Sequence, residues 1–157
     1  MSDKEKHIRL TKALVRDRYN EYNTTYFQGS LPKLNTVRFD YAPHYWAGVD
    51  MTFKGSKVKS VVITFSLYTY WSESLLLRVL LHEMIHVAVN QRHGKIVEPE
   101  HGEEFMAMQK ALNDKYNLNI TVGESEETIE QYVKPRFKKR IMRKSFFQLL
   151  KSLFSTS

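Results

Sequence analysis

The sequence predicts an α+β domain in which a short, mostly antiparallel sheet packs on helices. Three observations favour this class: an almost continuously apolar helical stretch at residues 75–89, alternation of apolar and polar residues in short runs between residues 37 and 66, and helical spacing of apolar side chains over residues 8–27. With 157 residues, the chain is long enough for one domain with a substantial core.

The individual elements follow from these patterns in chain order. Apolar residues from Ile8 to Tyr26 recur at helical spacing until Gly29 to Pro32 interrupt the helix. Lys54 to Lys57 has the composition of a turn, which predicts that the second and third strands form a hairpin. The predicted elements are a helix over 8–27, strands over 37–41, 47–53 and 59–66, a helix over 72–91, a polar loop, a second helix from about residue 102, a short strand at 119–122 and an acidic helix at 124–132.

The apolar helix carries His82-Glu83-Met84-Ile85-His86, which is the pattern H-E-x-x-H. Positions i and i+4 lie on one face of a helix, so both imidazoles can reach one metal ion. Glu83 is then placed to take a proton from a metal-activated water. The motif therefore predicts a hydrolytic zinc site, of the kind most often found in peptidases.

The polar side chains of this helix form a stripe, with Ser74, Arg78, His82, His86 and Asn90 following one another in steps of four. Burying histidines and a glutamate without partners is costly, and a metal at the stripe removes that cost. The alternative is a chance match in which His82 and His86 are hydrogen-bonded core residues. We favour the interpretation in which His82 and His86 bind a metal ion.

A catalytic zinc site uses three protein ligands and keeps a fourth position for water. His101 lies fifteen residues after His86 at the start of the second predicted helix, and a loop of that length can return the chain to the site. His93 does not fit the spacing H-E-x-x-H-x-x-G-x-x-H, because this chain has Val89 and Arg92 where that pattern needs Gly and His. On the residues alone a glutamate ligand stays open, from among Glu98, Glu100, Glu103 and Glu104.

Composition and charge exclude some classes of protein. Without cysteine, the chain has no disulfide and no cysteine-based zinc ribbon. No run of eighteen apolar residues is present and the N-terminus lacks signal-peptide character, so we expect a soluble intracellular protein, cytoplasmic or nuclear. Residues 134–157 carry eight Lys and Arg and no acid, whereas residues 1–133 are almost neutral. This break predicts a domain at 1–133 and a basic amphipathic tail at 134–157.

The basic tail is a candidate nucleic-acid contact, because clustered cations neutralise phosphates and Phe137 could stack on an unpaired base. Its apolar residues from Met142 to Leu153 also fit an amphipathic helix that could dock on the core or lie on an anionic membrane. A solvated terminus is the simplest alternative. The candidate nucleic-acid residues are Lys134, Arg136, Lys138, Lys139, Arg140, Arg143 and Lys144.

Several motifs together resemble the SprT-like zinc metalloprotease family, which includes the Spartan-type DNA–protein crosslink proteases. They occur in the expected order across residues 8–133: Asn23 to Pro32, Trp46-Ala47-Gly48, Ile63 to Leu67, Leu80 to His86, His101 to Phe105, and Asn119 to Val122. The resemblance implies a zincin-like domain of the minimal gluzincin type with the H-E-x-x-H helix at its core. It also implies one Zn²⁺ per chain on His82, His86 and His101, with Glu83 as the general base.

Two departures limit what the resemblance implies: several family members carry a cysteine-containing zinc-binding segment or long regulatory tails, which are absent from this sequence. We expect a zinc metalloendopeptidase that cleaves proteins bound or crosslinked to DNA, as in DNA repair, with the tail contacting single-stranded or crosslinked DNA. We take the chain to be a monomer. The alternatives are a zinc peptidase without a nucleic-acid role and a DNA-binding protein with structural zinc. The second alternative is disfavoured, because a purely structural zinc site has no use for the carboxylate of Glu83.

The predicted site also needs a surface for the substrate and a donor for the oxyanion. Gly48 allows close backbone approach, so an extended substrate could pair with a sheet edge near Ala47-Gly48. The candidate donors are Tyr41, His44, Tyr45 and His93, and the sequence does not single one out.

Overall fold

The computed structural model describes residues 5–42, 44–122, 133–136, 150–151 and 153. Its elements are α1 (Lys12–Phe27), β1 (Thr36–Asp40), β2 (Ala47–Lys54), β3 (Lys57–Ser66), α2 (Glu73–His93) and α3 (Glu103–Tyr116). The α+β class is confirmed. The acidic helix expected at 124–132 and most of the basic tail lie outside the described residues. In the described part of the chain, every helix is too short or too polar to cross a membrane.

Helix α1 begins at Lys12, later than the sequence pattern predicted. The Thr11 side chain caps the helix by accepting a hydrogen bond from the Leu14 N–H at 3.1 Å. Upstream, the Ile8 N–H donates to the Trp71 carbonyl at 2.8 Å. His7 also forms an isolated β-bridge with Ser72, so the chain before Thr11 contacts the chain just before α2, a contact that helical spacing does not reveal.

The three strands form one mixed sheet in the order β1-β3-β2. The predicted hairpin is confirmed, because β2 and β3 are antiparallel and Lys54 pairs with Lys57. β1, however, pairs with β3 in parallel, from Thr36 opposite Val62 to Asp40 opposite Ser66. The expectation of a mostly antiparallel sheet is wrong for this pair, because alternation identifies strands without identifying their neighbours.

Helix α2 is the centre of the core. Eleven of its 21 residues are buried, and it packs against α1, β2, β3 and α3. Ser72 caps its N-terminus by accepting a hydrogen bond from the Leu75 N–H at 3.2 Å, and Gly94 ends it with φ +64°. Because α2 packs against four elements, the side chains of its polar stripe are held in fixed positions.

The segment after α3 is irregular, so the short strand expected at residues 119–122 is not formed. Asn113 supplies hydrogen bonds in place of strand pairing. Its Nδ2 donates to the Ile120 carbonyl at 3.0 Å, and its Oδ1 accepts from the Ile120 N–H at 2.8 Å. These bonds satisfy the backbone of a buried residue, and they fix the position of the next residue, Thr121.

Residues 133–134 contact the body of the domain. Val133 is buried and forms an isolated β-bridge with Thr69, while the Lys134 N–H donates to the Tyr68 carbonyl at 2.7 Å. The start of the predicted tail thus lies against the loop before α2. The division into a domain at 1–133 and a tail at 134–157 stays a prediction.

Gly94, at the end of α2, lies close to Ser56 of the β2–β3 hairpin. We expect that replacing it with a residue that has a side chain destabilises the domain. Its φ is +64°, and a Cβ there would lie 2.7 Å from the Ser56 backbone oxygen. We expect Gly94→Ala to lower the free energy of unfolding by about 3 kcal/mol, through left-handed strain and overpacking together, as measured by urea denaturation. Gly29→Ala is the matched control, because Gly29 also has a positive φ, +71°, but a Cβ there would meet no atom within 4 Å; this variant should lose only ~1 kcal/mol. Equal losses would contradict the contact.

Candidate metal centre

Three histidines converge at the polar stripe of α2. His82 and His86 lie one turn apart, with their Nε2 atoms 3.2 Å from each other. His101 lies just before α3, and its Nε2 is 3.1 Å from that of His82. Nitrogens bound to one tetrahedral zinc at roughly 2.0–2.1 Å would be about 3.3 Å apart. The donor set therefore fits a single metal ion, and the structure brings together the three histidines chosen from the sequence.

The Thr121 carbonyl orients the His82 ring. The His82 Nδ1 lies 2.7 Å from the Thr121 carbonyl oxygen, and because a carbonyl only accepts, Nδ1 is the nitrogen that carries the proton. The lone pair of His82 then lies on Nε2, which faces the other two imidazoles. Sequence reasoning missed Thr121, because any residue type supplies a backbone carbonyl and the contact leaves no signal in the sequence.

His82 and His86 are neutral near pH 7. Burial lowers the pKa of His82 to about 4, although the hydrogen bond to Thr121 acts in the opposite direction. Burial likewise lowers the pKa of His86 to about 3, with smaller contributions from His82 and His101. Neutral imidazole is the form that binds a metal, so at neutral pH these two groups are already in the ligating state.

Glu83 lies beside the histidines and is only 6% exposed. Burial, followed by the charges of Glu100 and Asp50, raises the pKa of its carboxyl group to about 8, while a hydrogen bond from the Val49 backbone acts against this rise. A cation at the histidines would favour the carboxylate form. A carboxyl group in this setting can accept and return a proton near neutral pH, as a general base requires.

The cluster opens into a cleft between α2 and β2. One part of the cleft is a cavity of about 270 Å³, lined by Ala47 to Val49 from the strand and by Glu83 and the three histidines opposite. A Cβ added at Gly48 would meet no atom within 4 Å. β2 is at the edge of the described sheet, so one side of its backbone faces away from β3.

Asn90 and Phe105 position the loop that carries His101. Asn90 is buried one turn after His86, and its Oδ1 accepts a hydrogen bond from the Val97 N–H at 2.9 Å. The Phe105 ring packs against all three imidazoles, with ring centroids 4.5–4.9 Å apart. The sequence placed Asn90 on the polar stripe, but its role in holding this loop depends on a contact that the stripe does not predict.

The carboxylates considered as ligands lie outside the histidine cluster. Among the described residues, the group able to hold a metal consists of the three histidines and includes none of Glu98, Glu100, Glu103 and Glu104. The His93 Nε2 lies 2.7 Å from a Glu104 carboxylate oxygen, between α2 and α3. This contact gives His93 a partner on α3, and a role for His93 as an oxyanion donor stays a prediction.

The other three oxyanion candidates are divided between two places. His44 and Tyr45 line a second cavity of about 250 Å³, which also includes His82 and Glu83 in its wall. Tyr41 is 52% exposed, and its ring packs against Tyr68. Of these three candidates, His44 and Tyr45 therefore lie beside the candidate site.

The predicted nucleic-acid residues are only partly described. Burial, followed by the charge of Arg136, lowers the pKa of Lys134. Lys138, Lys139, Arg140, Arg143 and Lys144 lie outside the described residues. The nucleic-acid role of these side chains stays a prediction.

Comparison with known protein families gives a match to the part of the chain that contains the histidine cluster. The model of the SprT-like family matches residues 15–124, which is more than two thirds of the chain and includes the three strands, α2, α3 and the three histidines. None of the curated proteins with which the chain was compared matches it.

The histidine cluster should bind one zinc ion per chain. We expect His82→Gln, His86→Gln and His101→Gln each to weaken zinc binding by about 100-fold or more, because each removes one of three ligands. Competition with a chromophoric chelator measures the affinity and the stoichiometry. His93→Gln is the matched control, since His93 pairs with Glu104, and it should bind zinc like the parent. Similar losses in all four variants would exclude the three-histidine site.

Proposed function

The chain belongs to the SprT-like family, and from this we propose that it is a zinc-dependent metalloendopeptidase that cleaves proteins bound or crosslinked to DNA. The observation that carries the proposal is the convergence of His82, His86 and His101 beside the buried carboxyl group of Glu83. Imidazole nitrogens suit zinc, and three protein ligands leave the fourth position for water, as catalytic zinc sites do.

The chemistry follows from the roles of the individual residues. His82, His86 and His101 would hold the zinc ion, which when bound lowers the pKa of a water molecule and polarises the scissile carbonyl. Glu83 accepts the proton of the attacking water and delivers it to the nitrogen of the leaving amine. His44 and Tyr45, in the wall of the second cavity, are the candidates to donate a hydrogen bond to the oxyanion.

An extended substrate would pair with the side of β2 that faces away from β3. The two cavities share Ala47, His82 and Glu83, so the cleft continues past the site in both directions. A cleft of this shape admits the interior of a polypeptide as well as its ends. This supports an endopeptidase more than an enzyme that removes single terminal residues.

The DNA part of the proposal depends on charge. The eight cations of residues 134–157 are accompanied by no acid, while the rest of the chain is almost neutral. A cationic segment attached to the catalytic domain would concentrate the enzyme on DNA, where its protein substrates are bound. The main rival is a peptidase of the same family without a nucleic-acid role. Structural zinc is disfavoured because a closed site has no use for a buried carboxyl group beside its ligands.

Glu83→Gln should remove proteolysis while leaving zinc binding in place. We expect the cleavage rate of a DNA-binding protein substrate to fall about 100- to 10,000-fold, because the general base is lost. The rate is measured with and without single-stranded DNA, and zinc content is measured in parallel. Glu103→Gln, at an exposed position in the first turn of α3, is the control and should cleave like the parent. Cleavage by Glu83→Gln at the parent rate would refute the mechanism.

The basic tail should account for DNA binding. We expect Lys138, Lys139 and Arg140 changed together to Gln to weaken single-stranded DNA binding and to reduce the slope of log affinity against log salt by about 2, which corresponds to three lost phosphate contacts. Fluorescence anisotropy across a salt series measures both. The matched control changes three exposed hairpin lysines, Lys54, Lys57 and Lys59, in the same way. An equal effect of both triple variants, or cleavage indifferent to DNA, would support the peptidase without a nucleic-acid role.

A further inference from the structure

The chain uses one asparagine motif twice, where α1 and α3 end. Each helix is followed by a residue in the left-handed conformation, Gln28 with φ +54° after α1 and Asn117 with φ +53° after α3. The N–H of this residue donates to the backbone carbonyl of an asparagine near the end of the helix, which is Asn23 in α1 and Asn113 in α3. In both places the chain then turns back towards the side chain of that asparagine.

A single buried residue forms both hydrogen bonds with each asparagine side chain. Nδ2 of Asn23 donates to the Leu31 carbonyl at 3.2 Å, and its Oδ1 accepts from the Leu31 N–H at 3.1 Å. Asn113 forms the same two bonds with Ile120, at 3.0 and 2.8 Å. Both asparagines are half-buried, and Leu31 and Ile120 are buried. Because the two motifs match in bonding and burial, what distinguishes them is the part of the chain that each one positions.

The residue that follows Ile120 contacts the candidate metal centre. The Thr121 carbonyl oxygen is 2.7 Å from Nδ1 of His82. A neutral imidazole carries its proton on either nitrogen, and the hydrogen bond at one nitrogen decides which. With the proton held on Nδ1, Nε2 keeps the lone pair that a metal ion needs. By contrast, neither Asn23 nor Leu31 lines the two cavities around the histidines.

Helix α3 acts on the candidate metal centre from both of its ends. Phe105, in its first turn, packs against all three imidazoles. Asn113, near its other end, holds Ile120 through both the N–H and the carbonyl, and Ile120 is only 2% exposed. The backbone up to Thr121 therefore has little freedom to move away from His82. The start of α3 packs on the rings, and its end fixes the orientation of one of them.

We propose that Asn113 is a positioning residue that raises the metal affinity of the candidate metal centre by holding the Thr121 carbonyl on Nδ1 of His82. Its side chain holds Ile120, Ile120 places the Thr121 carbonyl, and that carbonyl keeps the His82 proton away from Nε2. Groups that orient a ligating histidine in this way typically change metal affinity by about 10- to 100-fold. This inference rests on the proposed function, since it concerns the zinc site of that enzyme, and it adds a residue outside the H-E-x-x-H motif.

Zinc affinity in matched asparagine variants tests the inference. Asn113→Ala and Asn23→Ala each remove the same two hydrogen bonds, so both should shift the midpoint of urea unfolding by a similar amount. We expect Asn113→Ala to weaken zinc binding about tenfold and Asn23→Ala to stay within about twofold of the parent, because only Asn113 acts on a ligand. Competition with a chromophoric chelator on the full chain measures the affinity. Asn113→Asp and Asn23→Asp keep the acceptor for the N–H, and this second pair should show the same contrast to a smaller degree even if an alanine variant does not fold.

The position of the His82 proton gives a readout that a loss of stability alone does not change. Long-range ¹H–¹⁵N correlation spectra of the zinc-free protein distinguish an imidazole protonated on Nδ1 from one protonated on Nε2. At neutral pH we expect the parent and Asn23→Ala to show His82 protonated on Nδ1. Asn113→Ala should instead show a mixture of the two forms, because the Thr121 carbonyl is no longer held against the ring.

Two results would overturn the inference: equal zinc affinities in Asn113→Ala and Asn23→Ala, or a His82 ring that stays protonated on Nδ1 alone in Asn113→Ala. Failure of the proposed function has a different signature. A parent that binds zinc and shows the expected contrast between the asparagine variants, but cleaves no protein, would support the role of Asn113 and count against the protease alone, since neither readout depends on cleavage.

Discussion

The burial of α2 is the constraint on which the rest of the structure depends. Polar side chains on a helix with this many buried residues must find partners, because an unpaired buried polar group is costly. His82 finds the Thr121 carbonyl, and Asn90 finds the Val97 N–H. Both partners belong to irregular segments that follow α2 and α3. The same contacts that satisfy the buried stripe therefore hold the loops that complete the candidate metal centre.

Asparagine side chains repeatedly take the place of regular backbone pairing in this small domain. An amide group carries both donors and an acceptor, so one asparagine can satisfy the N–H and the carbonyl of a single distant residue. Asn23 does so for Leu31, at 3.1 and 3.2 Å, and Asn113 does so for Ile120. The second pair matters for the site, because Thr121 directly follows Ile120. Loop order near the histidines is thus obtained without an additional strand.

The excess of positive charge and the residues proposed to carry out hydrolysis belong to different parts of the chain. The residues that would carry out hydrolysis are three buried or half-buried imidazoles and one carboxyl group, within a part of the chain that is almost neutral overall. The largest excess of positive charge is in residues 134–157. A proposed targeting segment that is distinct from the site can bring the enzyme to DNA without imposing a requirement on the substrate sequence.

The sequence by itself determined the features that depend on local spacing. Apolar periodicity predicted α2 and the three strands, the turn composition predicted the β2–β3 hairpin, and the i, i+4 spacing placed His82 and His86 on one helix face. His101 could be chosen as well, because the length of the loop and the family resemblance agreed. These predictions succeed because each depends on residues close together in the chain or on a recognisable motif.

Only the tertiary structure decided which distant groups meet. It showed that β1 pairs in parallel with β3, that His7 forms a β-bridge with Ser72, and that the Thr121 carbonyl orients His82 from 39 positions away in the chain. Periodicity states which face of an element is buried but not what covers it. Backbone groups are also the same for every residue type, so partners such as the Thr121 carbonyl and the Val97 N–H are selected by packing in three dimensions and leave no mark in the sequence.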